Sequence, residues 1–98
     1  MSILSTPSGQ LTLFVTNYCP YCTYAKQLLT RLKLPFEVVD VTGDDARRAA
    51  LVERTGMRTV PQLFVGNRPV GGFTDLEALH KAGGFMPLVR AEGIAVPE

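Results

Sequence analysis

The feature that most constrains this chain is the junction at which an apolar run, Leu11-Thr12-Leu13-Phe14-Val15, gives way to Cys19-Pro20-Tyr21-Cys22 and then to a helical pattern. A helix opening there places Cys19 near its N-cap, Pro20 at the first helical position where no amide hydrogen is missed, and Cys22 one turn along the same side. Two sulfurs so placed can bridge. The unpaired amide hydrogens and the positive pole of the helix end favour a thiolate on Cys19, the more terminal of the two. Cys22 gains less from the helix end and suits the part of a resolving thiol. A closed zinc site wants four ligands, and beyond these cysteines the chain offers one histidine and carboxylates without ligand-like spacing. A redox pair therefore fits better than a metal site or two inert buried thiols, and no metal is expected.

With 98 residues, residues 1–98 are read as a single domain with a modest core over about 11–89 and loose ends at 1–10 and 91–98. The net charge of +1, without a basic run or helix face, argues against nucleic acid as a partner. A small molecule or a protein is expected instead, met by a monomer. No apolar stretch approaches membrane-spanning length, and Met1 to Gln10 lacks the basic start and apolar centre of a signal peptide. A cytoplasmic location is expected, where a CxxC disulfide forms and breaks during turnover.

Strand and helix signals alternate along the chain, without repeat or low-complexity tract. Leu11 to Thr16 reads as a strand and Cys19 to Lys33 as a helix, with Ala25, Leu28, Leu29 and Leu32 at helical spacing. Phe36 to Val41 is apolar on both faces, the pattern of a central strand covered by helices on each side. Asp44 to Thr55 reads as a second helix, with acids at its start, a thin apolar stripe, and Gly56 to end it. Gln62 to Val65 and a short segment around Val70, joined by Gly66-Asn67-Arg68-Pro69, predict an antiparallel hairpin. Thr74-Asp75-Leu76-Glu77 has capping-box spacing, which predicts a helix with Thr74 as N-cap and Glu77 reaching back. Phe85 to Glu98 adds one apolar turn before an untethered end. The expected fold is α/β, a small four-stranded mixed sheet in the order β-α-β-α-β-β-α, flanked by helices.

Three segments together, Cys19-Pro20-Tyr21-Cys22, Arg58-Thr59-Val60-Pro61 and Gly71-Gly72-Phe73-Thr74-Asp75-Leu76, make the sequence resemble a dithiol glutaredoxin of the thioredoxin fold. The resemblance covers about Leu11 to Val89, and the combination is specific where any one motif alone would be weak. Val60, which precedes a proline, is pushed to an extended conformation, and Pro61 has no amide hydrogen, so the backbone at Val60 is open to an extended ligand. The resemblance implies a cis Pro61 against the CxxC, with Thr59 and Val60 pairing with glutathione like an added strand. It also implies that Thr74 and Asp75 receive the γ-glutamyl end, where helix-start amides hold a carboxylate and Asp75 meets an ammonium. The plain alternative is that Thr74 only caps and Asp75 only complements the helix dipole. For the glycyl carboxylate the resemblance points to Arg48, and secondarily to Arg58, although Asp44 also offers Arg48 an ordinary surface pair. Tyr21 flanks both thiols and can pack on the ligand. The chain departs from the family at Thr16, where a lysine is common, so one cation beside the nucleophile is missing.

Family membership further implies a glutathione-dependent thiol-disulfide oxidoreductase with no bound cofactor. Cys19 alone removes glutathione from mixed disulfides, and Cys19 with Cys22 reduces protein disulfides, ribonucleotide reductase being one candidate partner. Three other readings share the motif. A thioredoxin-type carrier is disfavoured by the absence of Trp and by the segment Gly71 to Leu76. An iron-sulfur scaffold held through Cys19 of two chains is disfavoured by Pro20, where a small residue is usual. A noncatalytic module is disfavoured by the intact cysteine pair.

Overall fold

Every residue of Leu11–Val15, strand β1, is buried, which requires both faces and both edges of the strand to be covered. The computed structural model, which describes residues 4–96, shows how this is met. β2 (Glu37–Asp40) pairs with β1 in parallel, β3 (Gln62–Val65) pairs with β1 antiparallel, and β4 (Arg68–Gly71) pairs antiparallel with β3. The order across the sheet is β2-β1-β3-β4. Four helices accompany it among the described residues: α1 (Pro20–Arg31), α2 (Asp45–Thr55), α3 (Phe73–Lys81) and α4 (Phe85–Ala91).

Side chains alternate across a strand, so the sheet feeds two cores. Leu11, Leu13 and Val15 of β1 join Leu63 and Val65 of β3 on one face, under Ala25, Leu28 and Leu29 of α1, Leu76 of α3, and Phe85 and Val89 of α4. Phe14 and Phe64 face the other way with Leu4, Val41 and Leu51 of α2. Their rings meet edge to face at 5.6 Å, a geometry worth about 1 kcal/mol beyond the area buried. The thin stripe read in the second helix is real, since Leu51 is its one buried residue. Gly56 closes α2 with a left-handed φ of 75°, which glycine adopts without steric cost.

Several expectations are revised. Phe36 to Val41 is not a central strand: β2 lies at the sheet edge, with Glu37, Val38 and Asp40 exposed. The antiparallel return of β3 takes the free edge of β1 and leaves β2 paired on one side only. Nor is Thr74 the N-cap of the third helix. Gly72 holds that place, and Asp75, not Glu77, reaches back to accept from its N–H at 3.0 Å. Glu77 instead pairs with Lys81 at 3.6 Å.

The ends are also less loose than expected. Leu4 is buried in the second core, the Gly9 N–H donates to Glu92 Oε2 at 2.9 Å, and Ile94 is buried beyond α4. The single apolar turn expected after Phe85 is the helix α4, and the chain beyond it is anchored by Ile94 rather than untethered. Residues 1–3 and 97–98, and what was expected of them, lie outside the described residues.

Candidate active site

At the end of β1 the chain leaves the sheet and begins α1 at Cys19, whose extended backbone (φ −139°, ψ 102°) makes it the N-cap, with Pro20 in the first helical turn. No acidic residue occupies that turn. The cap is the sulfur: Cys22 N–H donates to Cys19 Sγ at 3.1 Å. Such a bond strengthens when the acceptor carries charge.

The two thiols differ in surroundings. Cys19 is half-buried beside the exposed Tyr18 and Pro20, whereas Cys22 is buried in the larger core. Burial, and secondarily the neighbouring Cys19 sulfur, push the Cys22 thiol up to about 12. An apolar surrounding penalises the charged form, so Cys22 stays protonated near neutrality. Both cysteines are free thiols.

Opposite the helix end lies the segment before β3. The Cys19 thiol donates to the Val60 carbonyl oxygen at 3.5 Å, and the Val60–Pro61 bond is cis. From there a groove of about 340 Å³ runs between Tyr21, the Met57–Pro61 segment and the start of α3. Tyr21, Thr59, Val60, Pro61, Thr74 and Asp75, all singled out in the sequence, line this one groove. Three elements far apart in the chain are thereby brought to one groove. A depression of about 390 Å³ between Leu4–Pro7, Arg54, Phe64 and Asn67 holds neither cysteine.

The far end of the groove is built from Gly71, Gly72 and the first turn of α3. Gly71 has φ 116°, and a Cβ there would strike the Asp75 carboxylate. Only glycine lets that carboxylate return to the Gly72 N–H. The amide hydrogens of Thr74 and Asp75, in the first turn of α3, have no intrahelical acceptor, and Thr74 makes no capping bond with its side chain.

The Glutaredoxin family model matches residues 11–70. A glutaredoxin of Pseudomonas aeruginosa is 41% identical over 81 residues, covering 83% of this chain and 96% of its own. One from Vernicia fordii is 38% identical over 90 residues, covering 88% and 86%. The chain belongs to the glutaredoxin family. Among solved structures, a buckwheat glutaredoxin–glutathione complex superimposes with a TM-score of 0.81 at 32% identity, covering 85% of this chain and 78% of the other. The fold is thus the thioredoxin-like glutaredoxin fold, and the protein is a thiol-disulfide oxidoreductase with Cys19 and Cys22 as its CxxC pair.

Not every residue singled out for the glutaredoxin groove lies in it. Arg48 is absent from the lining; its Nη2 donates to the Arg58 carbonyl at 3.3 Å, beside the segment that carries Thr59. The pair expected between Asp44 and Arg48 is replaced by Asp44 with Arg47 at 3.0 Å. The sequence reading missed Met57, Gly72 and Phe73 in the lining. It also missed Gln62, which is 2% exposed. Gln62 Nε2 donates to the carbonyls of Met57 (2.9 Å) and Thr59 (3.0 Å), and its Oε1 accepts from Thr55 Oγ1 at 2.9 Å. A glutamine inside an otherwise apolar strand directly after the proline was the available signal, since a buried amide must find partners.

Proposed function

We propose that the protein is a glutathione-dependent reductase that removes glutathione from protein mixed disulfides through Cys19 alone and reduces protein disulfides through Cys19 with Cys22. The observation that carries this is the groove that runs from Val60, whose carbonyl the Cys19 thiol meets at 3.5 Å, to the start of α3. Its length offers three kinds of contact suited to a tripeptide thiol. Sheet pairing between β1 and β3 stops at Gln62, so the Val60 N–H is open to an extended ligand, which can also take over the Val60 carbonyl from the Cys19 thiol. Beyond it, the Thr74 and Asp75 amide hydrogens suit a carboxylate, and the Asp75 carboxylate suits an ammonium. Tyr21 and Phe73 form the apolar wall. Similarity to the protein in the buckwheat glutaredoxin–glutathione complex supports the same reading.

In the monothiol route, glutathione of the mixed disulfide lies in the groove and the Cys19 thiolate attacks the glutathione sulfur. The S–S bond breaks, the protein thiolate leaves and takes up a proton, and Cys19 holds a glutathionyl group. A second glutathione thiolate attacks that group, releasing glutathione disulfide and returning the electron pair to Cys19. In the dithiol route the Cys19 thiolate attacks a protein disulfide and releases one substrate thiolate; the Cys22 sulfur, once its proton is given up, attacks the Cys19 sulfur and releases the other, leaving a Cys19–Cys22 bridge that two glutathiones reduce as they become glutathione disulfide. Because Cys22 N–H points at Cys19 Sγ, the resolving residue also stabilises charge on the nucleophile as that thiolate leaves.

Arg48 belongs to this proposal as the cation for the glycyl carboxylate, supported by its place beside the Thr59 segment. Turnover of a glutathione mixed disulfide, with glutathione as reductant, tests the function. Cys22→Ser is expected to keep this activity, while Cys19→Ser loses it by on the order of a thousandfold or more. Both single variants lose reduction of a protein disulfide through the dithiol route. A wild-type protein that turns over the mixed disulfide no faster than buffer overturns the proposal.

A further inference from the structure

Phe73 lines two depressions at once. One is the groove beside Cys19; the other, of about 270 Å³, runs between α1 and α3 and is lined by Tyr24, Leu28, Leu32 and Phe73 with a polar rim. The two are joined by an aromatic cluster. Tyr21 lies 5.9 Å from Tyr24 and 6.2 Å from Phe73, and Tyr24 lies 5.8 Å from Phe73. Tyr21 is 56% exposed and Tyr24 48%, so a continuous apolar surface leads from the first groove into the second. Apart from Phe73, the glutathione reading uses none of this second groove.

Its charge is not neutral. Glu77 on the rim is engaged by Lys81 at 3.6 Å, whereas Arg31 has no carboxylate partner among the described residues. An uncompensated guanidinium beside an apolar slot selects a carboxylate next to an apolar side chain. Reach fixes where that side chain stands. From Cys19 to Leu28 the helix advances about 13 Å at about 1.5 Å per residue, the span of about four residues of extended chain.

We propose that the α1–α3 groove docks the disulfide-bearing polypeptide substrate, seating a large apolar side chain about four residues from the reacting cysteine, with a neighbouring carboxylate on Arg31. This rests on the proposed function for the reaction, though not for the binding. The groove would make the enzyme selective among substrates that carry the same glutathionyl group.

The test uses two glutathionylated peptides of equal length. One carries Leu four residues from its cysteine with Asp beside it; the other carries Ser and Lys there. Wild-type protein is expected to turn over the first with kcat/KM about tenfold higher, the size expected for burying one aliphatic side chain. Arg31→Glu is expected to remove or reverse the preference, and Gln27→Trp, which fills the groove from its rim, to bring the ratio near one. Turnover of the mixed disulfide of glutathione and cysteamine stays at the wild-type rate in both variants. Equal turnover of the two peptides by wild-type protein, or a preference untouched by both variants, overturns the proposal. Should no glutathione substrate be turned over, the proposed function fails. Fluorescence anisotropy of the same labelled peptides in thiol form then decides the groove by itself: tighter binding of the Leu-Asp peptide, weakened by Arg31→Glu, supports it, and equal binding overturns it.

Discussion

The N–H of Cys22 donates to the sulfur of Cys19 at 3.1 Å while the Cys22 thiol itself is turned into the core. One residue thus serves its partner with its backbone and is shielded by its side chain. Iodoacetamide added to the reduced protein at neutral pH should therefore label Cys19 first, with Cys22 labelled only on unfolding. Peptide mapping after brief exposure checks this, and equal labelling of both cysteines contradicts it.

The raised Cys22 thiol also sets a dependence of stability on pH. A free thiol titrates near 9.0, whereas the buried one is pushed up to about 12. Between those values the native state holds a proton that the unfolded chain has released, so stability falls as pH rises through that window. Below it the contribution is fully present. Denaturant unfolding of reduced wild type against Cys22→Ala isolates the effect from other titrating groups: the wild type should lose stability more steeply across the window. Parallel pH profiles contradict the assignment.

Asp75 accepts from Gly72 N–H at 3.0 Å and lines the groove, where its charge is proposed to meet the ligand. Asp75→Asn keeps an acceptor and removes the charge. It is expected to leave stability nearly unchanged and raise KM for glutathione substrates, whereas Asp75→Ala also costs about 1 kcal/mol, as a lost cap does. Thermal unfolding and steady-state kinetics on the two variants read the functions apart. A wild-type KM in Asp75→Asn removes the carboxylate from ligand binding.

Gln62 ties down the strip that forms the groove wall, so its loss should be felt in both stability and KM. Gln62→Leu leaves the Met57 and Thr59 carbonyls without their donor, at about 1–3 kcal/mol for each buried group left unpaired. KM for the mixed disulfide should rise by a larger factor than the alkylation rate of Cys19 changes, because the bond from Cys22 N–H to the Cys19 sulfur is untouched and only its Val60 contact lies on the loosened strip. A simple structural effect would move the two together.

Thr12 gives the opposite sign. Its hydroxyl is buried in β1 and finds no partner among the described residues. Thr12→Val removes that unsatisfied group at nearly equal volume and should stabilise the protein by about 1 kcal/mol. Urea unfolding with an unchanged slope and a higher midpoint is the expected result, and a lower midpoint would reveal a partner for the hydroxyl.

What the sequence determined by itself is local. The order Leu11–Val15, Cys19, Pro20 and Cys22 dictates a strand ending, a helix beginning, and two thiols one turn apart, because backbone sterics, capping and helical period act over a few residues. Pro61 likewise marks a break in the ladder from its own covalent structure. Only tertiary packing decided which edges were left over. β2 became an edge because β3, more than twenty residues later in the chain, took the other side of β1. The helix start moved from Thr74 to Gly72 because Gly71 lets the Asp75 carboxylate fold back onto the Gly72 N–H. Arg48 lost its expected partner when the Arg58 carbonyl came within reach. The period of α1 puts Cys22 on the stripe of Ala25, Leu28 and Leu29, but how deep that stripe lies follows from the sheet and α3 packing against it. Spacing can place a side chain on a face, but what that face meets depends on segments that are distant in sequence and adjacent only once the chain has folded.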